Sequence, residues 1–267
     1  MWNTPTKSGI PSFRSTIGLS NSLTPTWTDS TASDWDKVHD WHSFRTTQIT
    51  TIWDQVFGAD KERVIGVMGG MSAYTGVINR ALEYAWTDNP LSHEEYGVDA
   101  IGIAPYFGYA IGSDENQDTL TQWTKTQADG GLNKLFQEIF EGGQLPNTYA
   151  GGAIKESGDR MAEHSTIAQR EGLLLLASEG GQSLISSNTE NAAVTELFVK
   201  ANRDPRMAEA YEQYLTTWQG AGGSLLSHYG DIGVSSKYGS WGALEHVNQP
   251  GSPKYDALVD FSNRLVV

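Results

Sequence analysis

Four short apolar stretches, separated by segments with helical periodicity, constrain what this chain can fold into. They predict strands over residues 63–68, 98–104, 173–178 and 224–228. Each stretch is apolar at almost every position, a pattern typical of parallel strands covered on both faces. The helical segments between them supply the crossovers that parallel pairing requires. We therefore predict an α/β fold with a parallel sheet.

The apolar periodicity between these strands places the helices. Ser33 followed by Asp36 predicts a helix start, and apolar residues recur at helical spacing from there to Gly58. Further helices are predicted from the apolar positions over residues 77–85, 132–140, 153–170, 190–203 and 205–219, with a terminal helix opening at Pro253. We see no repeat and no linker, so we predict one domain over residues 1–267, with a long loop over residues 4–33.

Composition argues against several classes of function. The net charge is −14 and no Lys/Arg cluster is present, which argues against nucleic acid because its phosphates must be neutralised. No apolar run approaches the length of about 18 residues that predicts a membrane span. Cysteine is absent, which excludes disulfides and thiol chemistry. This absence fits the cytoplasm and also exported proteins, and we favour an extracellular or periplasmic location.

Each predicted strand ends in small or polar residues. The ends are Gly69-Gly70, Pro105-Tyr106, Ser178-Glu179 and Ser227-His228. Ligand sites lie at the carboxyl ends of strands both in (β/α)8 barrels and in doubly wound sheets. No strand runs into a dinucleotide-binding or phosphate-binding glycine motif, which favours the barrel. Only four of the eight strands of a barrel are visible.

The stretch "LLLLASEGGQ", residues 173–182, resembles strand seven of retaining glycoside hydrolases with (β/α)8 barrels. A Glu at that strand end is the family's nucleophile. Its acid/base Glu closes strand four in a phrase like Ser-Asn-Glu-x-Trp-Asn, and Met1-Trp2-Asn3 matches the last three positions. Residues 44–58 and 63–70 also resemble the family's next helix and strand after that phrase. The resemblance implies a TIM-barrel type fold of which only the second half, strands five to eight, is present, with the acid/base Glu just before Met1.

The resemblance and the strand ends together predict a site. Glu179 is predicted as the nucleophile, because retaining hydrolysis needs two carboxyls about 5–5.5 Å apart and the flanking glycines leave room for a sugar. Tyr106 is expected to hydrogen-bond Glu179 or the substrate, Trp241 to stack on a sugar, and His228 to bond a sugar hydroxyl. The alternatives are a structural Glu, ordinary aromatic packing and a hydrogen-bonded core histidine.

No metal or cofactor is predicted. His39 and His42 stand three residues apart on a helix, a spacing that metals can use, but surface histidines are the simpler interpretation. The acidic pairs Glu94-Glu95 and Asp114-Glu115 are interpreted as solvated loop charge, with a substitute for the missing acid as the alternative.

Three functions remain open from the sequence. The first is half of a retaining β-glycosidase, inactive alone on aryl β-glycosides because it has no acid to protonate the leaving group. The second is a glycan-binding protein that does not cleave, and the third is an α/β scaffold with a structural Glu179. The expected partners are a carbohydrate substrate and a second copy of the chain, because a half-barrel leaves two open sheet edges and a bare apolar face.

Overall fold

The computed structural model describes residues 33–83 and 93–265. In this part of the chain four strands form one sheet in the order β1-β2-β3-β4, and all three pairings are parallel. The strands are β1 Val67–Gly69, β2 Ala100–Ile103, β3 Leu174–Gly180 and β4 Leu225–His228. The predicted parallel α/β sheet is confirmed, whereas no closed barrel is formed by the described residues.

The first strand begins later than predicted. Residues Gly58–Arg63 form a 3-10 helix that ends at Val64, so the chain is still turning where the sequence predicts the strand. Strand pairing with β2 is limited to Val67–Gly69. The predicted loop over residues 4–33 lies, apart from Ser33, outside the described residues.

Eight α-helices accompany the sheet within the described ranges. They are α1 Asp34–Phe57, α2 Gly76–Glu83, α3 Gln117–Thr126, α4 Leu132–Phe140, α5 Ala153–Glu171, α6 Ala192–Arg203, α7 Arg206–Gly220 and α8 Pro253–Leu265. Seven of them confirm predicted helices. Helix α3 was not predicted, because it buries only two apolar side chains, Leu120 and Trp123. None of these helices is both long and apolar enough to cross a bilayer.

The core lies between one face of the sheet and the helices. Met68, Ile101 and Leu175 occupy matching positions on neighbouring strands and are at most 2% exposed. The same cluster contains Tyr211 and Tyr214 of α7, which are each 1% exposed. The packing of this face against the helices fixes the positions of the strand ends.

The opposite face of the sheet is uncovered in the described part of the chain. Val67, Leu174 and Leu225 are 38%, 45% and 59% exposed. Val67 and Leu174 both pair with Ala100, so they point to the same side of the sheet. Parallel sheets are normally covered on both faces. The described sheet therefore leaves an apolar surface open.

Helix α1 begins as predicted but turns its apolar stripe outward. The Ser33 hydroxyl accepts the Asp36 N–H at 3.1 Å, and the Asp36 carboxylate accepts the Ser33 N–H at 3.2 Å. Its buried side carries small hydroxyl residues, such as Thr50, which donates to the Tyr96 carbonyl at 2.6 Å. The stripe residues that are more than 45% exposed are Trp35, Val38, Ile49, Trp53 and Val56.

Candidate functional site at the carboxyl end of the sheet

A β-bulge near the end of β3 sets the direction of Glu179. Ser178 and Glu179 stand opposite a single residue of β4, Ser227. In a regular strand Glu179 would follow Ala177 onto the helix-covered face, because alternate residues share a face. Because of the extra residue, Gly180 instead of Glu179 is the next buried residue after Ala177, and Glu179 is half-buried. The bulge therefore releases the carboxylate from the helix layer.

Two glycines let the chain lie against α7 directly after Glu179. A Cβ on Gly180 would lie 2.4 Å from the Tyr214 hydroxyl oxygen, and one on Gly181 would lie 2.8 Å from that of Tyr211. Gly181 also has a φ of 137°, which L side chains rarely adopt. The sequence after Glu179 is thus dictated by the close approach of the strand end to two buried tyrosines.

Three aromatic rings, Tyr106, Tyr229 and Trp241, form an aromatic cluster at this end of the sheet. The ring centroids are 5.7 Å apart for Tyr106 and Trp241, 6.2 Å for Tyr106 and Tyr229, and 5.6 Å for Tyr229 and Trp241. All three pairs pack edge to face, a favoured geometry for aromatic side chains. Tyr229 was missed in the sequence, although its position directly after β4 was a signal that could have found it.

Tyr106 joins the aromatic cluster to Glu179. Burial raises the pKa of the Tyr106 hydroxyl above its usual value, and the charge of Glu179 and the neighbouring Tyr229 raise this pKa further. A phenol that stays protonated donates to a carboxylate. Tyr106 therefore lies near enough to Glu179 to be affected by its charge, and the hydrogen bond of the phenol to Glu179 or to the substrate stays a prediction.

The Trp241 indole is held at its edge by its own loop. Its Nε1–H donates to the Tyr238 carbonyl at 2.8 Å. A Cβ on Gly239 would lie 2.4 Å from the same nitrogen, so the indole rests on this glycine. The indole is half-buried and its neighbour Tyr229 is 46% exposed. A ring fixed at its edge and partly open to solvent suits stacking on a sugar.

His228 lies at the end of β4, but its ring is engaged with the helix layer. Its Nε2 lies 3.0 Å from the Tyr211 hydroxyl and its Nδ1 lies 3.1 Å from the Gly230 carbonyl. Because a carbonyl only accepts, Nδ1 carries the proton and Nε2 accepts from Tyr211. Burial, followed by the charge of Lys254, lowers the pKa of His228 to about 4. With both nitrogens engaged, His228 supports the strand end instead of offering a group to a sugar.

The carboxylates considered as substitutes for the missing acid lie in two different parts of the structure. Glu95 belongs to a 3-10 turn that precedes β2, at the end of the sheet opposite Glu179. Asp114 follows β2, and its carboxylate accepts the Ser187 hydroxyl at 2.5 Å. Met1-Trp2-Asn3, which carry part of the family resemblance, lie outside the described residues.

The two histidines that are spaced three residues apart, His39 and His42, each contact another residue. His42 Nε2 lies 2.9 Å from the Gly69 carbonyl, and the His39 ring packs edge to face on Trp35. In residues 33–83 and 93–265, no group of three or more His, Asp or Glu is arranged to hold a metal ion.

Comparison with known proteins gives no match, whether to a family model, to a curated protein or to a solved structure. Function is therefore argued from the chemistry of Glu179 and the aromatic cluster.

Proposed function

We propose that the carboxyl end of the sheet is a carbohydrate site, and that Glu179 is the nucleophile of a retaining β-glycoside hydrolase. The observation that carries the proposal is the aromatic cluster at the strand end, in which Tyr106 packs on Trp241 and has its pKa raised further by the charge of Glu179. A carboxylate released from the helix layer by a bulge, oriented by a phenol and flanked by aromatic rings, combines a nucleophile with a sugar-binding surface.

Retaining hydrolysis needs two carboxyl groups. Glu179 is assigned the role of nucleophile, and another carboxyl must act as the acid and base. In retaining hydrolysis a carboxylate attacks the anomeric carbon, the bond to the leaving oxygen breaks, and a glycosyl ester forms on the carboxylate. The second carboxyl protonates the leaving oxygen and later activates the water that hydrolyses the ester. No described residue is assigned to this second role. The resemblance attributes it to a Glu before Met1.

The proposal includes a (β/α)8 architecture for the complete site. The strands β1–β4 would correspond to strands five to eight of the barrel. Their sequential parallel order and the exposed apolar side chains of Val67, Leu174 and Leu225 support this assignment. An eight-stranded barrel buries this face by filling its interior with side chains.

The charges around the strand ends favour a neutral sugar. The described loops after the four strands carry the carboxylates of Asp114, Glu115, Glu190, Asp231 and Glu245, whereas their one lysine, Lys237, is ion-paired with Glu190 at 2.8 Å. An anionic sugar would find carboxylates and no unpaired lysine in these loops. We therefore expect binding of neutral β-linked oligosaccharides and not of uronic acid oligomers.

Carbohydrate binding without cleavage is the second candidate. The observation that favours it is the aromatic cluster of Tyr106, Tyr229 and Trp241, which offers a stacking surface that needs no second carboxyl. Without a second carboxyl nearby, the described residues alone would hold a glycan and leave its glycosidic bond intact.

Activated fluorosugars separate the two candidates. A 2,4-dinitrophenyl 2-deoxy-2-fluoro-β-glycoside has a leaving group that departs without protonation, so a nucleophile alone suffices to form the ester. If Glu179 is the nucleophile, the neutral fluorosugar accepted by the site labels the protein stoichiometrically, as mass spectrometry would show. Saturable binding of neutral oligosaccharides without labelling would select the binding protein. Neither binding nor labelling across neutral hexosides and pentosides would overturn the proposal.

A further inference from the structure

Two buried side chains from different elements converge on one carbonyl next to Trp241. Gln182 Nε2 donates to the Ser240 carbonyl at 2.7 Å, and Lys254 Nζ donates to the same oxygen at 2.6 Å. Gln182, Ser240 and Lys254 are 2%, 3% and 1% exposed. We infer that Gln182 and Lys254 are positioning residues that clamp the Ser240 carbonyl and so fix the Trp241 indole relative to Glu179.

The orientation of the Gln182 amide is fixed by its other partners. Its Oε1 accepts the Leu184 N–H at 2.8 Å, so Nε2 is the atom directed at Ser240. Its backbone N–H donates to the Tyr211 hydroxyl at 3.1 Å. Gln182 is therefore held to α7 and to its own loop, and it lies three residues after Glu179. A rigid amide at this position links the strand end directly to the loop of Trp241.

The same segment is tied to the loop that carries Tyr106. The Phe107 N–H donates to the Gly181 carbonyl at 3.0 Å, and the Ser183 N–H donates to the Phe107 carbonyl at 2.7 Å. These bonds continue the parallel pairing of β2 and β3 beyond the strands. Residues 181–183 are thus the common support of all three segments that build the site.

Lys254 reaches the same carbonyl from the first turn of α8. Burial lowers the pKa of Lys254 to about 7, and the charge of Glu245 opposes this effect. Glu245 itself is paired with Arg203 at 2.6 Å, and the Lys254 charge acts on His228. Burying an ammonium is costly unless its hydrogen bonds compensate. In the described part of the chain, the hydrogen bond to the Ser240 carbonyl is the one that the Lys254 ammonium donates.

These contacts close a ring around the candidate site. It runs from Glu179 through Gln182 to the Ser240 carbonyl, then through Trp241 and Tyr106 back to Glu179. Removing Gln182 opens this ring, and removing Lys254 takes away the second donor to its Ser240 carbonyl, in each case without altering the carboxylate or the indole. The relevance of the clamp to sugar binding rests on the proposed function, whereas the position of the indole can be measured without any sugar.

The first test monitors the indole itself. In protein labelled with 5-fluorotryptophan, Trp241→Phe assigns the fluorine resonance of Trp241 among the nine tryptophans. Gln182→Met and Lys254→Met should each shift or broaden that resonance and leave those of the buried Trp123 and Trp218 unchanged. Gln169→Met is the matched control, since it removes an amide that donates to Ser165 Oγ at 3.1 Å on α5. Lys254→Arg, which keeps a donor, should move the resonance less than Lys254→Met.

The second test monitors labelling by the neutral dinitrophenyl fluoroglycoside. Each Met variant should raise the inhibitor concentration for half-maximal labelling by roughly tenfold, corresponding to about 1.4 kcal/mol, with a smaller change in the maximal rate. An unchanged Trp241 resonance in a folded Lys254→Met protein would overturn the inference while leaving labelling of Glu179 intact. A shifted resonance in a protein that no fluoroglycoside labels would uphold the clamp and reject the proposed function.

Discussion

The rings of Tyr106 and Trp241 pack edge to face with their centroids 5.7 Å apart. Tyr106 follows β2 and Trp241 belongs to the loop after β4, so this contact bridges the two strands on either side of β3. In the proposed site it sets an aromatic surface beside the Glu179 carboxylate. The consequences for binding, stability and assembly can each be measured.

Tyr106→Phe separates ring packing from the contact with the carboxylate. The ring contacts with Trp241 and Tyr229 are retained, so oligosaccharide affinity should change little. Loss of the hydroxyl frees the Glu179 carboxylate, and the maximal labelling rate should fall by about 10–100-fold, a usual size for a misplaced reacting group. Tyr149→Phe is the control, because it removes a hydroxyl that donates to Asp159 at 2.6 Å elsewhere. Equal labelling rates for Tyr106→Phe and the unchanged protein would contradict the orienting role.

Trp241→Ala removes the stacking surface and leaves Glu179 in place. Affinity for the neutral oligosaccharide that binds best should fall by about tenfold or more, the effect expected when a stacked aromatic is lost. Titration calorimetry measures this change. Trp53→Ala is the control, since Trp53 is an exposed tryptophan of α1 at 47% exposure. Unchanged affinity in Trp241→Ala would remove the aromatic cluster from the binding surface.

Gly180→Ala tests the close approach of the strand end to α7. The added methyl would meet the Tyr214 hydroxyl at 2.4 Å, and overpacking of this kind costs about 1–3 kcal/mol of unfolding free energy. Adding Tyr214→Phe, which removes that oxygen, should recover part of the loss. Gly220→Ala is the control, because a Cβ there meets no atom within 4 Å. Urea unfolding checks the series, and equal stabilities of the two alanine variants would show that the approach is not tight.

The lowered pKa of Lys254 predicts that the free energy of unfolding depends on pH. Its pKa is lowered from 10.5 to about 7 in the folded protein. Between these values the unfolded chain binds the proton and the folded chain does not, so stability rises with pH, by up to about 1.4 kcal/mol per pH unit from this group. Urea unfolding at pH 7 and pH 9 should show a smaller rise for Lys254→Met. Lys155→Met, at an exposed ion pair, should keep the unchanged protein's rise. A rise equally large in Lys254→Met would contradict the lowered pKa.

The uncovered face of the sheet predicts association with a second copy of the chain. Pairing of β4 of one copy with β1 of the other keeps all strands parallel and covers Val67, Leu174 and Leu225 in both copies. Sedimentation should show a mass that rises with protein concentration, and Leu174→Lys should abolish the rise. Val247→Lys, at an exposed loop residue, is the control. A monomer at every concentration would exclude this assembly.

The sequence predicts the sheet and most helices because both depend on local periodicity. The four apolar stretches and the helix start at Ser33 needed only neighbouring residues to be identified. The bulge at Ser178 and Glu179 depends on the register against β4, a relation between segments that local patterns do not contain. Helix α1 shows the same limit, since its apolar stripe is exposed and its hydroxyl side is buried.

The candidate site was predicted where single residues stand at strand ends. The sequence proposes Glu179, Tyr106 and Trp241 in this way, whereas Tyr229, which packs on Tyr106 and Trp241, is not among the proposed residues. Gln182 and Lys254 could not be found, because their common partner is a backbone carbonyl distant in the chain. For His228 the structure fits the alternative of a hydrogen-bonded histidine, since its ring partners come from α7 and from its own loop.

The most direct measurement is the site of covalent labelling by the dinitrophenyl fluoroglycosides. Peptide mass spectrometry should place one fluorosugar ester on Glu179. Glu179→Gln should take up no label, while Glu190→Gln, which removes the carboxylate that pairs with Lys237, should be labelled like the unchanged protein. Labelling at another residue, or equal labelling of Glu179→Gln, would contradict the assignment of Glu179 as the nucleophile.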